Sequence, residues 1–334
     1  MTDAPQASIT ALTDLLASDM TEVNKVIMSR MDSDVPMIPQ LASHLIAAGG
    51  KRMRPLLSLA GAYAVNGAAA TSDSKATLLA AAVEFIHNAT LLHDDVIDES
   101  DKRRGRETAN ALWGNEASVL VGDFLFARAF ELMVETDDIA VLGMLSSASA
   151  RITEGEVKQM TMAGHPDSPL SDYLDVIHGK TAILFAAAAA SGAKVSGGAQ
   201  DLIDAMHHYG LSLGMAFQIV DDALDYRSDV TTMGKNSGDD FTDGKITMPV
   251  ILAYQQGTDE ERAFWQKTIG EGQIDEGDFE KAVRLLNHHN TIEQALDQAQ
   301  NYVDQAIAQL SILQDKQLAE ALTAAAHYTI ARRS

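Results

Sequence analysis

The chain contains no cysteine, which excludes disulfides, thiolate catalysis and zinc sites built on Cys. Proline is sparse, at 7 residues. β-Branched alternation is rare while alanine is abundant, a balance that predicts an all-helical protein. Positive charge is also scarce: 25 Lys and Arg stand against 47 Asp and Glu, for a net charge of −22. Nucleic acid is therefore not expected as a partner, and anionic membrane surfaces are disfavoured. Long hydrophobic runs are missing. The most apolar one, Thr181 to Ala190, is too short to span a bilayer, so no integral membrane segment is expected. The opening Met-Thr-Asp-Ala-Pro-Gln has neither a basic region nor an apolar core, and no secretory signal is expected. The expected location is cytoplasmic.

Hydrophobic residues make up 46% of the chain, enough for a large globular core. Helical spacing of apolar residues covers 8–31, 37–48, about 51–67, 75–98, 115–136, 137–162, 170–191 and 199–227. Three or four further helices are expected after residue 247. The stretches 101–107 and 229–247 read as loops, the first basic and the second rich in Gly and Asp. No low-complexity segment or long linker interrupts the chain, so residues 1–334 are expected to form one domain.

Two stretches repeat one acidic pattern. Leu-Leu-His-Asp-Asp-Val-Ile-Asp carries Asp94, Asp95 and Asp98, and Gln-Ile-Val-Asp-Asp-Ala-Leu-Asp carries Asp221, Asp222 and Asp225. On a helix, residues four apart share a face, so Asp94 points with Asp98 and Asp221 with Asp225. Like charges at that spacing repel, and at a helix C-terminus they also oppose the macrodipole. Each triplet alone reads equally as a solvated helix end. Two copies, each after a long apolar run, point to facing helices that share a hard cation such as Mg²⁺, completed by substrate phosphates.

The scarce cations gather beside these motifs. Lys51, Arg52 and Arg54 cluster at a Gly-rich helix entrance, where free backbone N–H groups favour anions. Arg103 and Arg104 follow the first triplet, and guanidinium binds phosphate oxygens bidentately. Lys180, Lys235 and Lys245 are each preceded by Gly. Any one of them alone reads as a solvated surface charge. His87 lies two helical turns before Asp94. Gln218 lies one turn before Asp221 and reads either as a substrate contact or as a satisfied buried amide. Upstream of Asp94 come Thr90, Ala89, Ile86, Val83, Ala82 and Leu79. These residues line whatever space lies beneath the carboxylates. Ala89 and Thr90 leave that space unplugged by aromatics, although Ala89 packed against a neighbouring helix accounts for its size equally well.

Taken in order, the motifs resemble those of the trans-polyprenyl diphosphate synthases. They are Gly-Gly-Lys-Arg-Met-Arg-Pro, then His87, DDVID with Arg-Arg-Gly after it, and Gly-Lys-Thr. FQIVDDALD, Gly-Lys-Asn-Ser-Gly-Asp-Asp and Gly-Lys-Ile-Thr-Met-Pro complete the set. The resemblance covers roughly residues 45–250 and is nearest to the long-chain bacterial members, the octaprenyl, solanesyl and decaprenyl synthases. It implies an all-α bundle of long helices around a deep central cavity, usually as a homodimer. It also implies about three Mg²⁺ ions with the diphosphate bound, held by Asp94, Asp98 and Asp221, with Asp95, Asp222 and Asp225 in support. Arg103, Lys180 and Lys235 would contact the allylic diphosphate, with Thr181, Gln218 and Lys245 adjacent. Lys51, Arg54, His87 and Arg104 would bind isopentenyl diphosphate. The implied reaction is ionisation of the allylic diphosphate, attack by isopentenyl diphosphate and proton loss, repeated in one cavity. Small residues at Ala89 and Thr90 imply a deep floor and a product of about eight to ten isoprene units, for a quinone side chain. That product may pass to a membrane enzyme. A short-chain farnesyl or geranylgeranyl diphosphate synthase is the nearer rival. A terpene cyclase is disfavoured by the second DDALD motif, and a regulatory subunit of a heteromeric synthase by both acidic motifs being intact.

Overall fold

The computed structural model describes residues 8–47, 50–67, 74–103, 105–227 and 238–331. Arg104 and Lys235, both expected to hold phosphate, lie outside the described residues. The architecture is all-α, as the composition predicts. The helix expected over 8–31 is two helices, α1 (Thr10–Leu15) and α2 (Ala17–Arg30), because the backbone leaves helical geometry at Leu16. α3 (Met37–Ala47), α4 (Met53–Asn66) and α5 (Ser74–Ile97) follow. The basic stretch after α5, read as a loop, is a tight antiparallel hairpin of β1 (Lys102–Arg103) and β2 (Arg106–Glu107). Gly105 takes the left-handed turn, at φ 74°, that a side chain would disfavour. Next come α6 (Ala109–Trp113), α7 (Asn115–Glu135) and α8 (Ile139–Met162). Asp138 caps α8 by accepting from the N–H groups of Ala140 and Val141.

α9 (Leu170–Ile177) and α10 (Ile183–Val195) form one rod, joined by a π-helical turn over His178–Ala182. α11 (Gln200–Leu224) and α12 (Asp239–Thr242) complete the second acidic region. Five helices rather than three or four close the chain: α13 (Met248–Gln256), α14 (Asp259–Trp265), α15 (Asp278–His288), α16 (Thr291–Gln309) and α17 (Lys316–Ala331). The break between α13 and α14 is short, and a Thr258–Glu261 capping box restarts the helix at once.

α10 is the axis of the core. Ala188, Ala189, Ala190 and Ala193 are fully buried in one continuous apolar cluster. Their small side chains let neighbouring backbones come close. A Cβ added to Gly192 would strike the carbonyl of Ser58 on α4, and one on Gly61 would strike that of Ala189. On the opposite side, a Cβ on Gly214 of α11 would sit 2.6 Å from Ala182 Cα. α10 is thus clamped between α4 and α11, which fixes the two walls that carry Arg54 and Asp221. The rod Leu170–Val195 has the length and composition to cross a membrane, although the run Thr181–Ala190 alone does not. Yet 83% of its most apolar stretch is buried inside the protein.

This clamp has a measurable consequence. Gly192→Ala is expected to destabilise the fold by about 1–3 kcal/mol through overpacking, read as a lower thermal midpoint. An unchanged midpoint would mean that α4 and α10 separate freely.

Candidate active site

The first triplet ends α5, and its members divide by helical geometry. Asp94 and Asp98 share a face, and the Asp98 N–H still donates to the Asp94 carbonyl at 2.8 Å. Asp95, one residue round the helix, points inward and is 1% exposed. Arg103 of the hairpin donates to its Oδ1 from both Nε and a terminal nitrogen, each at 2.8 Å. Asn110 donates to the Asp95 carbonyl at 3.2 Å. The hairpin is thereby pinned beside the carboxylates.

Asp94 is partly buried, and burial pushes its carboxyl up to about 7. Lys180 opposes that rise, while the negative charges of Glu156 and Asp98 add to it and Arg103 opposes it again. Lys180 sits in the π turn, a feature that often marks functional positions. Its Nζ donates to Glu156 Oε2 at 2.9 Å and to Gln159 Oε1 at 3.0 Å, both on α8. Two glycines make the approach possible. A Cβ on Gly155 would lie 2.7 Å from the Lys180 nitrogen, and one on Gly179 would lie 2.9 Å from the Arg151 carbonyl.

The second triplet ends α11 and divides in the same way. Asp222 is buried and receives hydrogen bonds from the Tyr173 hydroxyl, at 2.6 Å, and from Gln218 Nε2, at 2.7 Å. Gln218 Oε1 in turn accepts from Thr181 Oγ1 at 2.8 Å. Burial lifts the Asp222 carboxyl to about 8, with the Asp240 charge adding to the rise. Asp225 Oδ2 accepts the Asp240 N–H at 3.0 Å. Lys245 pairs with Asp240 and Asp243, at 3.2 and 3.0 Å. Burial alone would lower its pKa, but Asp240, Asp243 and also Asp98 raise it. Lys245 thus pairs within the loop after the second triplet and also feels the charge of Asp98 at the end of the first.

The cations expected to bind an anion lie around the start of α4. Arg54 is hydrogen-bonded to His87 Nε2 at 3.0 Å and lies over the Phe185 ring. Lys51 lies over Tyr328 of α17, 4.3 Å from the ring centroid. Arg52, in the left-handed region at φ 50°, pairs with Glu84 at 3.1 Å. Ala89 is fully buried, and Thr90 donates to the His87 carbonyl at 2.9 Å. Glu84, Glu156, Gln159 and Tyr173 escaped the reading of motifs. The one signal for Glu156 is the preceding Gly155, since glycine inside a helix marks a close approach.

The donor set of the two triplets is all carboxylate oxygen, which suits Mg²⁺ rather than a softer metal. Asp94, crowded by Glu156 and Asp98, gains from a nearby cation. Among the described residues, the trio whose ligand atoms lie within 4.8 Å of one another is Glu261, His288 and His289. There Glu261 already serves the α14 capping box. A groove of about 880 Å³ between α2 and α3, lined by Met28, Met31, Pro39 and Ser43 among others, includes none of the site residues.

Comparison with known proteins covers most of the chain. The family model described as polyprenyl synthetase matches residues 35–286. The octaprenyl diphosphate synthase of Escherichia coli K12 is 41% identical over 321 residues, 96% of this chain and 98% of its own. The crystal structure of a decaprenyl diphosphate synthase from Rhodobacter capsulatus superposes with a TM-score of 0.93 at 47% identity, covering 98% of this chain and 100% of that one. A polyprenyl synthase from Caulobacter crescentus, complexed with calcium and isoprenyl diphosphate, also has a TM-score of 0.93, at 46% identity. It is covered over 99% of this chain and 100% of its own.

The Tyr173–Asp222–Gln218 chain is open to direct measurement. Tyr173→Phe or Gln218→Leu removes one donor from a buried carboxyl and is expected to cost about 1–3 kcal/mol in chemical denaturation. The double variant should depart from additivity, because both donors serve one group. Strict additivity would mean that the two bonds act independently.

Proposed function

The chain belongs to the polyprenyl synthetase family and is a trans-polyprenyl diphosphate synthase, an enzyme that transfers prenyl groups. From that premise we propose that it extends an allylic diphosphate with successive isopentenyl diphosphate units to a long all-trans product for a quinone side chain. The observation that carries this reading is that the π turn reaches both acidic regions: Lys180, whose charge acts on Asp94, is followed by Thr181, which is hydrogen-bonded through Gln218 to Asp222. The octaprenyl and decaprenyl names of the relatives support a long product. So do the small residues at Ala89 and Thr90.

In this reading, Asp94, Asp98 and Asp221 hold Mg²⁺, about three ions with substrate bound. Bound there, Mg²⁺ supplies Lewis-acid neutralisation of the leaving diphosphate. Calcium in the Caulobacter relative supports a divalent metal. Lys180, held at Glu156 and Gln159, offers its ammonium to the allylic diphosphate oxygens, and Arg103, Lys235 and Lys245 add positive charge around them. Stabilising charge on the leaving group is the main catalytic contribution. Arg54 and His87, with Lys51 and Arg104, hold isopentenyl diphosphate alongside, so that its double bond meets the allylic carbon as the C–O bond breaks. Asp95, Asp222 and Asp225 support these groups: Asp95 fastens the Arg103 hairpin, and Asp222 fixes Gln218 and Thr181. The proton lost from the new C–C unit passes to the departing diphosphate.

The working unit is a homodimer of a single-domain chain, residues 1–334. Exposed apolar side chains along α7 and the start of α8 support the dimer: Leu120, Val134 and Ile139 are 67%, 63% and 82% exposed. A cytoplasmic location is supported by burial of the rod Leu170–Val195. The finished product passes to a membrane enzyme.

Purified chain given farnesyl diphosphate, excess isopentenyl diphosphate and Mg²⁺ is expected to release diphosphate and form long polyprenyl chains. Mass analysis after dephosphorylation reads their length, and farnesyl or geranylgeranyl products would favour a short-chain synthase instead. Asp94→Ala and Asp221→Ala should each lower turnover at least about 100-fold with the helical circular dichroism unchanged. A retained rate would remove them as metal ligands. Ala89→Tyr should shorten the product; if its length stays the same, Ala89 is a packing residue.

A further inference from the structure

Glu156 lies in the last third of α8, on a helix that no motif marks. One contact, one electrostatic influence and one unpartnered atom tie it to the site. Its Oε2 holds the Lys180 ammonium at 2.9 Å. Its charge acts on Asp94 across the mouth, alongside that of Asp98. Its other oxygen, Oε1, is buried and has no hydrogen-bond partner among the described residues. An ionised carboxylate with one oxygen committed to a lysine and the other left bare, facing like charge, is costly to maintain. Such a group makes sense when the second oxygen gains a donor during the working cycle.

The backbone around it is built to keep it there. Gly155 and Gly179 let α8 and the π turn touch, with no Cβ between them. That contact sets the Lys180 nitrogen against α8, so that Glu156 and Gln159 both reach the ammonium.

We propose that Glu156 is a positioning residue of the third wall. One oxygen stations Lys180 toward the allylic diphosphate, and the other accepts a hydrogen bond from the water shell of the cation held by Asp94. This rests on the reading of Asp94 as a metal ligand given above. Mg²⁺ keeps several of its waters when bound by one or two carboxylates. Partners of that outer shell matter to affinity roughly 10–100-fold. Gln159, the second acceptor for Lys180, keeps the ammonium near α8 when Glu156 is changed, so loss of the carboxylate acts mainly on the hydrated cation.

The test uses the full chain with Mn²⁺ and inorganic pyrophosphate, with bound metal read by electron paramagnetic resonance. Glu156→Gln should weaken Mn²⁺ binding roughly 10-fold or more and raise the Mg²⁺ concentration needed for half-maximal rate, with the thermal midpoint kept. Glu156→Asp, which restores the charge, should recover most of the affinity. Wild-type binding with Glu156→Gln unaffected overturns the role of Glu156 alone. Failure of the wild-type chain to bind Mn²⁺ with pyrophosphate overturns the metal reading beneath it. If Glu156→Gln does not fold, Glu156→Ala carries the comparison: it should lose Mn²⁺ affinity to at least the same extent, and an affinity equal to wild type in that variant overturns the proposal.

Discussion

Carboxylates gathered at the ends of two helices repel one another, and the rest of the site is arranged around that repulsion. Each triplet answers it in the same way. The middle Asp is turned inward and given its own partners, Arg103 for Asp95 and the Tyr173–Gln218 pair for Asp222. The outer members keep their shared face. Lysines offset part of the charge: Lys180 is held by Glu156 and Gln159 and lowers the cost of ionising Asp94, and Lys245 pairs with Asp240 and Asp243. In a strongly acidic chain, Arg103, Lys180 and Lys245 thus put positive charge beside carboxylates of both acidic regions.

That arrangement needs walls that do not shift, and the small residues of α10 supply them. Glycine and alanine on both faces let α4 and α11 close on it until backbones meet. Interiors packed to that density transmit displacement instead of absorbing it. The positions of Arg54 on one side and Asp221 on the other thus follow from residues that carry no chemistry of their own.

Much of this was legible in the chain. Helical periodicity located most of the long helices to within a residue or two, but it ran α11 three residues too far and stopped the rod Leu170–Val195 four residues short. The acidic triplets and the lysines after glycine stood out because their residue types are costly in an apolar setting. What escaped had a physical reason. The break at Leu16 leaves the apolar spacing intact, so periodicity runs across it. The π turn adds one residue to a helix without changing its composition. The hairpin at 102–107 is stabilised by Arg103 reaching Asp95, a contact between elements that a local reading does not contain. Glu156 and Tyr173 matter only through partners more than twenty residues away. The final helices were undercounted because a capping box can restart a helix after a very short gap.

The rod Leu170–Val195 has one more consequence, for the time before the chain is folded. While it is being made, a segment of this length and hydropathy can partition into lipid as well as into a protein core. Alanine gives it only a weak preference for hydrocarbon. A lysine near the centre of a spanning helix adds a penalty of about 2.5–3.5 kcal/mol, and Lys180 occupies that part of the rod. The ammonium that faces Asp94 in the finished molecule thereby also biases the nascent chain toward water, so one side chain contributes both to the site and to the choice of compartment in which the site forms.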